Sequence, residues 1–513
     1  MIAGLRNAAQ LLLLARLLAR HDALFVFERF AFARPLLWAA RPLVRRRPGE
    51  AALRPGQRLA LALQEAGPSF VKFGQALASR SDLLGEDIAR DLAGLQDRMP
   101  PFPFAQVRAT IEGELGKPLE TLFRHFDEQA VAAASIAQVH LAVDPDGRDV
   151  AVKVLRPGIE KAFSRDLELF FWIGGLAEAN VPALRRLRLL ASLETLAQSV
   201  SVEMDLRFEA AAAAELAENF RDDRSFHVPA VDWVRTGRRV LTTERVVGLR
   251  INDRDAIAAA GHDPRAVLTK AVEAFFQQVF RDGFFHGDLH AGNLFVRPDG
   301  SVAAVDFGIM GRLDEPTRRH LGELLLAFLS GNYRRAAEVH FEAGWVPAGH
   351  SLDAFAQACR SIAEPILDKP QNEISVARLL GQLFQITETF AMETQPQLLL
   401  LQKTMLVAEG TGRSLAPDAN MWLLARPLIE GWFAETLGPQ ARLRDAAIEA
   451  AGAMSRLPTL VRLAETGFAA LADGQLKIDL QGLRQARGSS IGNFAGWIVA
   501  AILAGILIGT MIN

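Results

Sequence analysis

His286-Gly287-Asp288-Leu289-His290-Ala291-Gly292-Asn293, followed by Asp306-Phe307-Gly308, is the stretch on which the reading of this chain turns. An aspartate, an asparagine five positions on and a second aspartate thirteen beyond it form the minimal constellation for handling a nucleotide triphosphate and its magnesium. The residues between them give the spacing a physical reason. Leu294-Phe295-Val296 and Val302-Ala303-Ala304-Val305 are short apolar runs, and Arg297-Pro298-Asp299-Gly300-Ser301 carries the turn chemistry of a β-hairpin. Asn293 opens one arm and Asp306 closes the other, so antiparallel pairing brings an amide oxygen beside a carboxylate. These are hard oxygen ligands of the kind Mg2+ takes, with water and phosphate completing its shell. Asp288 then lies one short loop away, within reach of a γ-phosphate or of an attacking hydroxyl or water.

At 513 residues, half of them hydrophobic, the chain can bury a large core. A formal net charge of −2 gives no global case for nucleic-acid binding, and no basic stripe, zinc spacing or recognition helix is evident. Cys359 is the single cysteine, which excludes an internal disulfide and a thiolate metal site and fits a reducing compartment.

Charge is uneven along the chain. Residues 1–48 hold nine arginines among leucines, phenylalanines and Trp38, a composition suited to an anionic membrane surface. Ile491 to Ile512 contains no charged residue and is long enough for one transmembrane helix. Lys477, Arg484 and Arg487 precede it, which leaves the main domain cytoplasmic. Its glycines and alanines at four-residue steps suit close helix packing and a homodimer.

From Pro55 to Arg98 the apolar spacing is helical, as it is from Gln106 to Leu115. Ala132 to Val143 and Val150 to Leu155 flank Asp144-Pro145-Asp146-Gly147 and read as a second hairpin. In its second strand Val150, Val152 and Val154 share one face, which puts Lys153 on the other. A lysine so placed contacts the α- and β-phosphates when a carboxylate holds it, and Glu209, on a helix expected over Val202 to Phe220, is the candidate. Asp205 and Glu209 would share a face of that helix at a like-charge cost. Thr242 to Gly248, including Glu244, reads as a connector whose backbone can receive an adenine edge. Beyond Arg312 the pattern is helical, through Gly322–Leu329, Leu379–Thr389, Gln397–Val407 and Met421–Leu437.

Together Lys72-Phe73-Gly74-Gln75, the Ala132-Ala133-Ala134-Ser135 loop, Val150-Ala151-Val152-Lys153, Glu203-Met204-Asp205, Glu209, His286 to Asn293 and Asp306-Phe307-Gly308 resemble the UbiB family of atypical kinase-like proteins. Gly344-Trp345-Val346-Pro347 and Gln395 to Thr404 add to the likeness, which spans about residues 55 to 410. The resemblance implies an α+β, atypical protein-kinase-like two-lobed fold with a helical N-terminal extension and a helical C-terminal region. Added to the apolar tail, this divides the chain into 1–48 (membrane-proximal), 49–125 (extension), 126–248 (N-lobe), 249–475 (C-lobe) and 491–512 (transmembrane helix).

By matching position, Lys153 and Glu209 form the phosphate-side ion pair, Asn293 and Asp306 hold the metal, and Asp288 is the catalytic-loop carboxylate. Ala132, Ala133, Ala134 and Ser135 line the nucleotide, while Lys72 and Gln75 cross the cleft and face Glu203 and Asp205. The family works at the inner membrane in ubiquinone biosynthesis and is associated with ATP hydrolysis rather than protein phosphorylation. The implied cofactors are ATP and Mg2+, and the implied partners are membrane lipids, prenylated quinone precursors and other enzymes of that biosynthesis. Kinase activity on a small molecule or lipid, and a nucleotide-sensing scaffold, are the alternatives. Ala212 stands where the family usually carries asparagine, Ala291 where proline is common, and one tail helix where two are common.

Overall fold

The computed structural model describes residues 2–25, 53–78, 85–93, 95, 99–180, 189–364, 386–387, 389–392, 396–417, 419 and 421–437. Residues 1–433 form one compact unit, and the second, 434–513, is described only as far as 437.

The chain begins with α1 (Ile2–Arg20) and continues through α2 (Pro55–Ala66), α3 (Pro68–Ala78) and α4 (Glu86–Ala93). The helical spacing expected from Pro55 to Arg98 is therefore broken into separate helices, with Gly67 at φ 117° and Pro68 ending one and starting the next. These helices share a core in which Leu18 of α1, Leu59 and Leu63 of α2, Phe70 and Val71 of α3 and Leu92 of α4 are buried. Part of the apolar face of the arginine-rich segment is thus covered by the chain itself.

Next come α5 (Phe104–Leu115), α6 (Leu119–Leu122), β1 (His125–Phe126), β2 (Ala132–Ala133), β3 (Ala137–Val143) and β4 (Asp149–Leu155). β3 and β4 pair antiparallel around the Asp144–Gly147 turn, with Val139 opposite Lys153 and Gly147 at φ 86°. Val150, Val152 and Val154 are buried on one face under Val107 and Ile111 of α5. Each such side chain contributes about 1.5–3 kcal/mol when fully buried. Then follow α7 (Ile159–Asn180), α8 (Leu189–Glu203), α9 (Leu206–Asn219), β5 (Phe226–His227), β6 (Val240–Glu244) and β7 (Leu249–Arg250). β6 completes an antiparallel sheet of order β1-β3-β4-β6 with β2 beside β3. Its second face meets Leu206 and Ala210 of α9.

The helix expected from Val202 to Phe220 is interrupted at Met204-Asp205, where Asp205 caps α9 by accepting from the Arg207 amide. Asp205 and Glu209 therefore do not sit as like charges on one continuous helical face.

The remaining elements are α10 (Arg254–Ala259), α11 (Pro264–Phe276), a π-turn over Gln277–Asp282, β8 (Phe284–His286), β9 (Leu294–Val296), β10 (Val302–Ala304) and β11 (Met310–Arg312). Helices α12 (Glu315–Leu329), α13 (Tyr333–Glu342), α14 (Leu352–Ala363), α15 (Pro396–Leu415) and α16 (Met421–Leu437) end the described chain. Most of the helix expected over Leu379–Thr389 lies outside the described residues. A core of phenylalanines from α11, the π-turn and β8 with Leu289, Leu294 and Leu401 underlies the second half of the molecule.

The transmembrane helix expected over 491–512 requires correction. No helix among the described residues is long and apolar enough to cross a membrane, and 491–512 lie outside them. The longest described helix, α7 with 22 residues, carries Glu160, Lys161, Arg165, Asp166 and Glu168 and packs against protein. An uncharged run of sufficient length is necessary for a span but does not specify one, and the fold class stands without it.

Candidate active site

The hairpin β9–β10 is the local scaffold of the site. Val296 pairs with Val302 and Leu294 with Ala304, and the Val305 amide donates to Asn293 O at 2.9 Å. Gly300 at φ 75° and the Asp299 carboxylate, which accepts from the Ser301 amide, close the turn. Asn293 and Asp306 thus flank the open end of one short ladder. Asp306 adopts φ 65°, a region that is uncommon for a residue with a side chain and that occurs preferentially at functional sites.

Lys153 projects from β4 on the face opposite the valines. Its ammonium donates to both oxygens of Glu209, at 2.8 and 2.9 Å, and to Asp306 Oδ1 at 2.9 Å. Glu209 reaches it from the first turn of α9, which lies close because Ala210 and Ala213 below it are fully buried alanines. Burial pushes the Glu209 carboxyl up to about 7, with Lys153 pulling the other way. Burial also opposes the Lys153 charge, but Asp306 and Glu209 outweigh it and hold the ammonium well above the usual lysine range. Lys153 in turn holds Asp306 well below the usual carboxylate range. Half of the Asp306 side chain faces water, 52% by area, so the ion pair rather than desolvation decides its protonation.

Asp288 sits in the loop after β8, and Asn293 is fixed against it by an Nδ2 bond to Asp288 O at 3.0 Å. That bond uses the amide nitrogen and leaves the Asn293 oxygen for other partners. Among the described residues no cluster of three or more His, Cys, Asp or Glu could hold a metal. One amide oxygen and one carboxylate fit a magnesium ion that arrives on nucleotide phosphates and keeps them and water as its other ligands. His286 ties the loop to the Asp-Phe-Gly segment. It is fully buried, its Nδ1 accepts from the Asp288 amide at 3.0 Å, and its Nε2 donates to Val305 O at 3.2 Å. Burial depresses its protonation, in keeping with a neutral ring that both donates and accepts.

Lys72 of α3 reaches Glu203 at the end of α8, with Nζ to Oε2 at 2.8 Å, and its charge is felt at Asp306. Gln75, one turn further on, donates to Leu95 O at 3.3 Å. The Asp205 carboxylate is taken up by the Arg207 guanidinium. Ala132 and Ala133 pair with Val139 and Gln138, and the Ala134 amide donates to Ala137 O at 2.8 Å, which makes a tight alanine turn ending at buried Ser135. The Glu244 carboxylate points to His227, at 3.1 Å, so an adenine could use only the backbone around it.

Three contributors carry no obvious chemical signature in the sequence. Arg156 donates to Ser135 O, Ala134 O and Pro100 O and lies over the Phe102 ring, bracing the alanine turn. Gln278, in the π-turn, accepts from the His286 amide. Thr404 of α15 donates to Gly287 O at 2.9 Å across 117 residues. Only the position of Arg156, three residues after Lys153, could have hinted at its role.

A lysine–glutamate pair under a small antiparallel sheet, beside an Asp-Phe-Gly turn and an Asp…Asn loop, defines a protein of the kinase-like class. Residues 94–340 match the ABC1 atypical kinase-like domain and residues 359–420 the UbiB helical domain. A "Probable protein kinase UbiB" of Marinobacter nauticus is 44% identical over 76% of this chain and 72% of its own length. Proteins of the same description from Azotobacter vinelandii and Xanthomonas oryzae are 41% and 40% identical, over 80% and 86% of this chain and 76% and 82% of theirs. A solved structure of Rv3197 with erythromycin, from Mycobacterium tuberculosis, is similar with a TM-score of 0.50 and 26% identity, over 69% of this chain and 90% of that one. The chain belongs to the UbiB family of atypical kinases, which is implicated in ubiquinone biosynthesis.

Proposed function

We propose that this protein binds Mg-ATP and transfers its terminal phosphoryl group chiefly to water, in support of ubiquinone biosynthesis at the inner membrane with its main domain on the cytoplasmic side. The observation that carries this is the Lys153 ammonium held between Glu209 and Asp306. It gives one cation for the α- and β-phosphates and one carboxylate beside Asn293 for the metal. Magnesium so held would neutralise charge on the β- and γ-phosphates. Asp288 receives the proton of the attacking oxygen at its carboxylate, and His286 keeps the loop that carries it in register with Asp306.

Hydrolysis is favoured over protein phosphorylation by the Lys72–Glu203 pair, which ties the N-terminal extension across the molecule beside Asp306. Contact with anionic lipid is supported by Leu12, Leu13 and Arg16, exposed on α1, and by the arginines that follow in the sequence. Phenolic prenylated quinone precursors are the substrate-side partners that the family's pathway supports.

The test is phosphate release by the full chain with and without anionic vesicles and a phenolic quinone precursor, comparing wild type with Asp306→Asn. Turnover that is present in wild type and lost in Asp306→Asn is expected. Absence under every condition, or survival in the variant, overturns the reading.

A further inference from the structure

We infer that Lys403, contributed by the helical region rather than by the kinase-like core, binds the terminal phosphoryl group of the nucleotide opposite Asp288. The inference rests on the nucleotide-binding reading above. Lys403 lies on α15, in the segment matched by the UbiB helical domain, more than a hundred residues after the catalytic loop. Its neighbour Thr404 is fully buried and bonds Gly287 O, while Leu400 one turn earlier packs against Gly287. These contacts fix the rotation of α15 against the loop and bring Lys403 Nζ to 4.0 Å from Asp288 Oδ1, with 58% of the lysine side chain still exposed.

The other Asp288 oxygen faces His290 Nε2 at 3.7 Å. His290 accepts from the Gly292 amide through Nδ1, so the loop itself brings a hydrogen-bond donor rather than a permanent cation. Stability does not account for the lysine, since an exposed pair at this separation contributes little. An ammonium beside Asp288 has a use when a second anion enters. The transferring phosphoryl group must approach this carboxylate against mutual repulsion, and a lysine on a long, exposed stem can meet it. In the proposed site Lys153 serves the α- and β-phosphates and Asp306 the metal, while Lys403 is a lysine on the Asp288 side, where the terminal phosphoryl group would arrive.

The experiment is isothermal titration of the full chain with Mg2+ and either ADP or a non-hydrolysable ATP analogue. Lys403→Met is expected to weaken the analogue about tenfold, the scale of one lost charge-assisted contact, and to change ADP by less than about twofold. Lys403→Arg is expected to restore most of the analogue's affinity. Thr404→Val, which removes the anchor but keeps the charge, controls for misplacement of α15, and thermal melts control for folding. Equal losses for both nucleotides, or no loss for either, overturn the role of Lys403 while leaving nucleotide binding intact. Failure of the wild type to bind either nucleotide overturns the proposed function and this inference with it.

Discussion

Lys72 Nζ lies 2.8 Å from Glu203 Oε2, with each side chain only 13% exposed. This pair joins the helical extension to the end of α8, immediately before the break at which α9 turns to present Glu209. Removing one member of a largely buried pair leaves the other desolvated and uncompensated, which costs about 3–5 kcal/mol. Lys72→Ala should therefore cost more than Lys72→Ala combined with Glu203→Ala. A double-mutant cycle by urea denaturation checks this, and additive losses would refute the coupling.

The pH dependence of stability should carry the mark of Glu209. Its carboxyl rises from 4.5 to about 7 on folding, so its contribution is fully present below pH 4.5 and is lost as the pH climbs through about 7. Asp306 is lowered from 3.8, so its contribution is present above that value and is lost as the pH falls, outside this window. Glu209→Gln cannot titrate and should flatten the stability profile between about pH 5 and 7.5. Urea midpoints measured across that range decide the matter; profiles that run parallel in the two proteins would count against it.

Arg156 should matter to nucleotide binding without touching nucleotide. Three carbonyls, Pro100 O, Ala134 O and Ser135 O, share its guanidinium, and the Met99 amide adds a bond to Ala133 O from the same linker. Arg156→Met should cost about 1–3 kcal/mol through unsatisfied carbonyls and raise the nucleotide Kd. Arg156→Lys should not rescue it, because a point-like ammonium does not reproduce the fixed fork with which Nε and Nη2 reach the three carbonyls. Calorimetric titration alongside denaturation checks both statements, and full rescue by lysine would refute the bracing role.

Local patterns with their own chemistry are legible in the sequence. Pro-Asp-Gly turns between alternating runs gave both hairpins, and the period of two put Lys153 opposite Val150, Val152 and Val154. The break at Met204-Asp205 was not legible, since Leu206 to Ala214 continues a helical composition and only the capping bond to the Arg207 amide shows that the helix restarts. Long-range anchors were equally hidden. A threonine in an apolar helix gives no sign that it serves Gly287 O, because that bond depends on how two distant elements pack. The uncharged tail shows the converse: composition alone set an expectation that no described helix meets.

Gly311 is required by close approach rather than by backbone torsion. On β11 opposite Phe285, a Cβ at this position would fall within the Phe285 ring, which is fully buried and has nowhere to move. Gly311→Ala should destabilise the protein by about 1–3 kcal/mol and loosen the pairing of β8 with β11 that follows the Asp-Phe-Gly turn. Chemical denaturation gives the magnitude, and an unchanged midpoint would show that the strands separate at no cost.

Ala133→Gly tests whether the alanine turn sets nucleotide preference. Ala133 pairs with Gln138 in β2, and its carbonyl accepts from Met99, so its backbone is held on both sides while its methyl group is only partly buried. Alanine confines φ and keeps a methyl group between backbone and ligand, whereas glycine lets amides approach phosphates closely. The substitution should cost about 0.5–1 kcal/mol of stability through chain entropy. The ratio of ATP to ADP affinity should nonetheless shift several-fold, because the phosphates that distinguish the two nucleotides lie along this turn in a kinase-like site. Titration of both nucleotides into wild type and variant reads the ratio directly. A ratio unchanged while stability falls as expected would mean that the turn shapes the fold and not the choice of nucleotide.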